Sequence, residues 1–183
     1  NPKFNIYELV NGGWTLNSNS PVSLTTTTSD LNCAMSGNGQ AFVIGANGTS
    51  PEAYIENANG SWSLTYIATS LTQFLTCGLN YDGTKAVIAS ADNNKCIKVW
   101  NFTVSATSFD IVSSGMSPLP LFAGFGGDDC VVSAADNNPN AFQEVKIFQK
   151  NGSWNSTPIN TITGSNIGGI HLARDSLSCA IND

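Results

Sequence analysis

The residues that could support catalysis are few. His171 is the one histidine in the 183-residue chain, and a hydrolytic triad needs such a base, oriented by a carboxylate, beside a nucleophile. The pattern around His171 predicts an inner strand, so we interpret this histidine as structural. Asp128 and Asp129 could form an acid pair, but adjacent residues point in different directions, and a solvated turn is the better interpretation. The sequence therefore predicts a protein that is not an enzyme.

Acidic or amide residues recur where four predicted strands end. These positions are Asn47, Asp92, Asp136 and Asp183. Turn capping is the favoured interpretation, because Asx side chains bond to nearby backbone groups. The same positions would nevertheless share one face of a ring of repeats. Asp92, Asn93, Asp136 and Asn137 are therefore the candidate ligand-binding residues.

Cysteine spacing argues against a metal site. The five cysteines are Cys33, Cys77, Cys96, Cys130 and Cys179. No pair has the C-x-x-C spacing and no histidine lies at a metal-binding distance, so we predict neither a metal nor a cofactor. Cys33 and Cys77 occupy the same place in adjacent repeats. A disulfide could join them, but buried thiols that act as small apolar residues would fit as well.

Five Asn-x-Ser/Thr sequons indicate an extracellular glycoprotein. The sequon asparagines are Asn47, Asn59, Asn101, Asn151 and Asn155. Asn59 and Asn151 fall at the tip of the same predicted hairpin in different repeats, where a glycan would have free space. These positions are predicted glycosylation sites, and the protein is predicted to be secreted.

The charge of the chain limits its partners. Seven basic residues stand against thirteen acidic ones, for a net charge of −6. Nucleic acid and anionic membrane surfaces both require a basic footprint, so neither is a predicted partner. No apolar run approaches the ~20 residues of a membrane helix, and membrane insertion is not expected. The remaining predicted partners are further copies of the chain and other extracellular proteins or glycans.

Aromatic residues mark an internal repeat that would position these side chains. Trp14, Trp62, Phe109 and Trp154 follow one another at spacings of 48, 47 and 45 residues, a period typical of β-propellers. Because the three tryptophans recur with the period, we predict that they pack between neighbouring blades; platforms for stacking sugars are the alternative. Trp100 lies off this register and is predicted to be exposed.

One copy of the repeat, Ala53 to Ala91, shows its content. Alternating apolar residues predict four strands, at Ala53 to Glu56, Trp62 to Ala68, Phe74 to Leu79 and Ala86 to Ser90. Asn59-Gly60 and Asp82-Gly83 are strong hairpin turns. We interpret this copy as one four-stranded antiparallel blade.

The whole chain is predicted to be one all-β domain, residues 1–183, built as a propeller of four four-stranded blades. The chain begins with an outer hairpin, Phe4 to Ser18, and ends with an inner hairpin, Ile167 to Asn182. Pairing between them would close the ring and remove its exposed edges. The alternative is that the four repeats belong to a larger ring or array.

The repeat resembles a known family. The pattern Y-x-x-x-x-N-G-x-W, followed by x-x-C-x-x-x-x-D/N-G-x-x-x-V-I-A, resembles the FG-GAP-type and related extracellular β-propeller repeats. This resemblance implies a propeller fold and leaves function open, because propellers host unrelated activities. Integrin-like members carry a D-x-D-x-D-G calcium loop that has no match here, so calcium is not carried over.

Two functions are compatible with these features. The first is a non-catalytic extracellular structural or adhesive module, including the repeating unit of an extracellular filament or matrix. The alternative is a lectin-like or other ligand-binding propeller that uses the Asx-rich face. A glycan array would distinguish them, since binding that is lost on changing Asp92 and Asp136 to Ala favours the lectin.

Overall fold

The computed structural model describes residues 3–25, 31–92, 96–116, 120–127, 129–135 and 144–163, and every regular element among these is a β-strand. The chain order is β1 (Lys3–Phe4), β2 (Tyr7–Val10), β3 (Gly13–Leu16), β4 (Val22–Ser23), β5 (Leu31–Met35), β6 (Ala41–Ala46), β7 (Glu52–Glu56), β8 (Trp62–Ile67), β9 (Phe74–Leu79), β10 (Ala86–Ser90), β11 (Cys96–Trp100), β12 (Phe109–Ser113), β13 (Pro120–Phe125), β14 (Cys130–Ala135), β15 (Glu144–Asn151), β16 (Ser153–Trp154) and β17 (Asn160–Thr163).

The strands form antiparallel sheets in chain order. The first sheet is β5-β6-β7-β8 and the second is β9-β10-β11-β12. The third sheet is β13-β14-β15, with β16 and β17 both paired to the outer edge of β15. Ahead of them, β2 pairs with β3 and β1 pairs with β4. The prediction of an all-β fold with four-stranded antiparallel sheets is therefore confirmed.

Asn-Gly and Asp-Gly turns join the hairpins as predicted. Gly60, Gly83 and Gly152 have φ values of 78°, 72° and 74°, which an L side chain rarely adopts and glycine adopts freely. In the first hairpin, Asn11 and Gly12 both have positive φ, at 52° and 81°. Positive φ at both central residues is the geometry that matches the twist of paired strands.

The middle strands are covered on both faces because the sheets stack. All of β6 and all of β10 are buried. In β10, Ala86 and Ile88 pack in the core between the first and second sheets, whereas Val87 and Ala89 pack in the core between the second and third. Because successive side chains of β10 point to opposite faces of the sheet, this one strand contributes to two different cores. This explains why all four residues from Ala86 to Ala89 are apolar.

The sheet boundaries differ from the predicted blade. Ala53 to Ala91 is a true sequence repeat, but β7 and β8 belong to the first sheet and β9 and β10 to the second. A tight turn, in which the Thr49 amide donates to the Ala46 carbonyl at 3.0 Å, keeps β7 in the sheet of β6. Periodicity gives the length of a repeat but does not show which sheet each strand joins. The predicted blade is therefore displaced by one hairpin from the observed sheets.

The predicted ring is not seen as a closed structure. The described residues contain separate four-stranded sheets and the β2–β3 hairpin, and they show no closed propeller. The strands predicted at Ile167 to Leu172 and Ser176 to Asn182 lie outside the described residues. His171 and Asp128 lie outside them as well.

Candidate functional site

Asp92 caps a turn in its own sheet. Its Oδ1 accepts hydrogen bonds from the Thr72 hydroxyl at 3.0 Å and from the Gln73 amide at 3.1 Å, and its Oδ2 accepts one from the Ser90 hydroxyl at 2.7 Å. These contacts tie the end of β10 to the segment that enters β9. The Asp92 carboxylate therefore holds the scaffold together. Asn93, Asp136 and Asn137 lie outside the described residues, so the ligand-binding face stays a prediction.

The cysteines considered for a disulfide are both free thiols. Cys33 is exposed on β5 and Cys77 is buried on β9. The Cys77 thiol donates to the Val43 carbonyl at 3.7 Å, and burial raises its pKa. Cys77 is thus a buried thiol that packs as a small apolar residue, which was the alternative to a disulfide. Cys33 is exposed and does not fit that alternative.

The sequons differ in their exposure. Asn47, Asn59, Asn151 and Asn155 are exposed, and Asn101 is half-buried. Asn59 lies at the tip of the β7–β8 hairpin, where its Oδ1 accepts a hydrogen bond from the Ser61 hydroxyl at 2.6 Å. Asn101 is followed by Phe102, which is fully buried. The geometry leaves four of the five positions open to modification.

The prediction for the tryptophans was wrong at Trp100 and Trp14, whereas Trp62 and Trp154 do pack against buried core clusters. Trp100, expected to be exposed, has 0% of its surface accessible, whereas Trp14, expected in the core, is 72% exposed. Trp62 and Trp154 are half-buried. The reason is the strand each occupies: Trp100 ends β11, an interior strand, whereas the periodic tryptophans lie on outer strands. A residue can recur with the repeat without lying between sheets.

Trp62 lines a cleft that the sequence did not reveal. The cleft has a volume of about 350 Å³, within the range of small-molecule sites. Its lining consists of Asn19, Pro21, Val22, Ser23, Thr25, Tyr54, Ser61, Trp62 and Leu64. Phe42 packs against the Trp62 indole with ring centroids 5.0 Å apart. The Trp62 Nε1 is enclosed and has no hydrogen-bond partner among the described residues.

A buried carboxylate fixes two residues of this cleft. Glu52 is 2% exposed. Its Oε2 accepts a hydrogen bond from the Tyr54 hydroxyl at 2.6 Å and one from the Thr25 amide at 3.2 Å, and its Oε1 accepts one from the Thr25 hydroxyl. Burial raises the pKa of Tyr54, and the hydrogen bond to Glu52 and the charge of Glu52 raise it further. Tyr54 thus remains a neutral donor.

A second tryptophan-lined cleft lies at the third sheet, and its lining, unlike that of the first, includes charged residues. Trp154 lines it, together with Ser153 and Gly152, and across it lie Phe109, Asp110 and Ile111 of β12, with Lys150 beside them. Its volume is about 450 Å³. The Trp154 Nε1 is also enclosed and has no partner in the described part of the chain. Both clefts lie at the same tetrapeptide, Asn-Gly-Ser-Trp, and this repetition is the sequence signal that could have found them.

An apolar groove lies between the N-terminal segment and the face of the first sheet that this segment partly covers. Its volume is about 270 Å³, and its lining includes Tyr7, Cys33, Met35 and Ile44. The adjoining β2–β3 hairpin exposes Tyr7, Leu9, Val10, Trp14 and Leu16. Exposed apolar residues concentrated in this way indicate a surface that another segment or molecule covers.

Metal and membrane sites are not found in the described ranges. No group of three or more His, Cys, Asp or Glu side chains there could hold a metal ion. Likewise, none of the elements between residues 3 and 163 that the structure describes is an apolar helix of membrane-spanning length.

Comparison of the chain with protein-family models matches none of them, and comparison with curated proteins gives no significant match. The resemblance to FG-GAP-type repeats accordingly remains a prediction that rests on the motif alone.

Proposed function

We propose that the protein is a non-catalytic extracellular module, structural or adhesive, built as a β-propeller of four blades. The observation that carries the non-catalytic role is that three of the described carboxylates serve the scaffold. Asp92 and Glu52 accept hydrogen bonds from nearby strand and loop residues, as described above, and Asp82 accepts them from the Asn80 amide at 2.7 Å and the Thr84 hydroxyl at 2.6 Å. Carboxylates engaged in this way are poorly placed for acid–base chemistry.

Closure of the ring is part of this proposal. In each described pair of sheets, the leading strand of one sheet packs on the preceding sheet: β9 on β5 and β6, and β13 on β9 and β10. The same rule requires a preceding sheet against β5, where the apolar groove lies. Residues 167–182 carry the pattern of an inner hairpin and would complete that sheet together with β2 and β3.

The accessibility of Cys33 tests closure. Cys33 lines the groove, so a closed ring protects its thiol from a labelling reagent in the native full-length chain. Cys77, buried between sheets, is the matched control and should react only on unfolding. Labelling is followed by mass spectrometry of peptides, with light scattering of the same sample. Rapid labelling of Cys33 in a folded monomer would contradict closure.

Self-association is the other way to cover the groove, and it would make the protein the unit of a filament or matrix. A second copy that docks its terminal hairpin there forms a head-to-tail contact, which propagates when it does not close. Protection of Cys33 that increases with protein concentration, together with growing particle size, supports this form. Protection in a monodisperse 19.2 kDa species excludes it.

The second candidate is a ligand-binding, lectin-like propeller. The two tryptophan-lined clefts favour it, and Asp92 lines neither of them. A glycan array with the Asp92→Ala variant tests that face. Binding that this substitution leaves unchanged directs attention to the clefts.

A further inference from the structure

We propose that the clefts beside Trp62 and Trp154 are two sites for uncharged carbohydrate, each binding one sugar residue. This inference deepens the proposed binding role of the module and names its ligand class. The sites are on the outer strands β8 and β16, at the two Asn-Gly-Ser-Trp turns.

The indole rings supply the first part of the argument. A pyranose ring presents C–H groups on its face, and an aromatic face with its negative quadrupole attracts them. Trp62 lines its cleft and is steadied from the side by Phe42, with centroids 5.0 Å apart. An aromatic wall held in place loses little entropy when a ligand stacks on it.

The unpartnered indole N–H groups supply the second part. Buried donors without a partner are rare in folded proteins, yet the described structure has them at both Trp62 and Trp154. A ligand hydroxyl that accepted a hydrogen bond from either N–H would satisfy a donor that has no partner among the described residues, and this would favour the bound state.

The polar groups that line the first cleft supply the third part of the argument. Tyr54 and Thr25 line the first cleft, and the buried Glu52 holds both hydroxyls. Ser61 and Asn19 line it as well. Hydroxyl and amide groups that are placed around an apolar wall match a polyol, which needs both donors and acceptors.

Charge decides between ligand classes. The first cleft has no charged residue in its lining, and the buried Glu52 lies behind it. In the second cleft, Lys150 and Asp110 form an ion pair at 3.7 Å, so their charges offset each other. A phosphorylated, sulfated or acidic sugar would meet no counter-charge at the first cleft and would have to compete with Asp110 for Lys150 at the second, whereas a neutral sugar fits both.

Two sites on one rigid scaffold would act together. A branched glycan or a glycan-covered surface can engage both clefts, which raises the apparent affinity without any new contact. Weak binding to one sugar and firm binding to a surface is the behaviour that an adhesive module requires.

The test uses the full-length protein and a panel of neutral methyl glycosides, with binding followed by NMR and by tryptophan fluorescence. We expect two sites, with the tighter one at Trp62, where more hydroxyl and amide groups line the cleft. Trp62→Ala should remove one site, and Trp154→Ala the other. Trp62→Phe, which retains an aromatic ring against Phe42 but lacks the N–H, should weaken the first site by roughly tenfold. Trp14→Ala, which changes a tryptophan outside both clefts, is the matched control and should retain two sites.

Each outcome is decisive. The inference is overturned when no neutral glycoside binds the wild-type chain, or when a folded Trp62→Phe/Trp154→Ala variant binds as well as wild type. Binding only of sulfated glycosides would also overturn it. If no neutral glycoside binds but the Cys33 thiol stays protected from labelling, the proposed structural module is still supported. Loss of the Cys33 protection would instead count against the proposed function itself.

Discussion

At the scale of single residues, the structure reverses the expected roles of the tryptophans. Trp100 stacks on Phe109, with ring centroids 5.9 Å apart, and meets Phe102 edge-on at 5.4 Å. Its Nε1 donates to the Ser105 carbonyl at 3.3 Å. The off-register tryptophan is thus a core residue whose indole N–H has a partner, whereas Trp14 is exposed and Trp62 and Trp154 are half-buried beside the clefts.

Trp100→Ala should therefore lower the free energy of unfolding by about 3–5 kcal/mol, because it removes a large buried ring and leaves a cavity. Trp14→Ala, at a site that is 72% exposed, should change it by no more than about 0.5 kcal/mol. Denaturant unfolding followed by circular dichroism measures both. Equal losses at the two positions would contradict the assignment.

The buried thiol of Cys77 predicts a pH dependence. Burial raises the pKa of Cys77 in the folded state, whereas the thiol of the unfolded chain ionises near pH 8.5, its approximate unperturbed value. The stability that this difference contributes is complete below the unfolded pKa and is lost as pH rises toward the folded pKa. The free energy of unfolding should thus fall above about pH 8.5, by up to about 1.4 kcal/mol per pH unit.

Cys77→Ala should flatten this decline, measured by denaturant unfolding between about pH 8 and 10. Cys33→Ala, which removes the exposed thiol, should leave the contribution of Cys77 in place. An unchanged slope in Cys77→Ala would show that other groups set the alkaline limit.

At the scale of the elements, small residues let the leading strands approach one another. A Cβ built on Gly78 of β9 would lie 3.1 Å from the Ala123 carbonyl oxygen and 3.1 Å from the Gly124 Cα on β13. The matching position in the first sheet is Ala34. Backbone lies on the other side of this contact, so a larger side chain has no flexible neighbour to displace.

Gly78→Val should accordingly destabilise the protein by about 1–3 kcal/mol through overpacking between the second and third sheets. Gly13→Ala is the matched control, since its nearest new contact would be the Val10 carbonyl at 3.8 Å, and it should be near neutral. Thermal unfolding of the two variants checks this. A Gly78→Val protein as stable as wild type would show that the sheets can separate without cost.

At the scale of the whole molecule, the stacked sheets place the hairpin tips at the periphery. Asn59 and Asn151 are exposed at equivalent tips, and each lies two residues before a cleft residue pair, Ser61-Trp62 and Ser153-Trp154. Modification at these tips would thus stand beside the proposed sugar sites and would compete with them for space.

Expression in a host with a secretory glycosylation pathway should give glycans at Asn59 and Asn151 and little at the half-buried Asn101. Intact-mass measurement before and after enzymatic deglycosylation detects them, and Asn59→Gln and Asn151→Gln should each remove one glycan. No change of mass would count against a eukaryotic secretory route. A glycan at Asn101 alone would contradict the exposure argument.

The sequence by itself determined the β class and the limits of several strands, since Phe74–Leu79 and Ala86–Ser90 have the predicted bounds and Trp62–Ile67 ends one residue before the predicted limit. These follow from local physics, namely alternation of apolar residues and turns that need glycine. The break between β16 and β17 is not a local property, because the chain leaves β15 after Trp154 and pairs with it again at Asn160.

Only the tertiary structure decided which hairpins share a sheet, which tryptophans are buried and where clefts form. Those properties depend on contacts between residues far apart in the chain: Trp100 is buried because the first sheet covers it, and Glu52 meets Thr25 across 27 positions. A sequence repeat reproduces every environment of a sheet, on outer strands as well as on inner ones. The recurrence of a residue type therefore does not show whether that residue lies in the core or at a surface site. Packing between sheets makes that distinction, because it alone removes side chains from water.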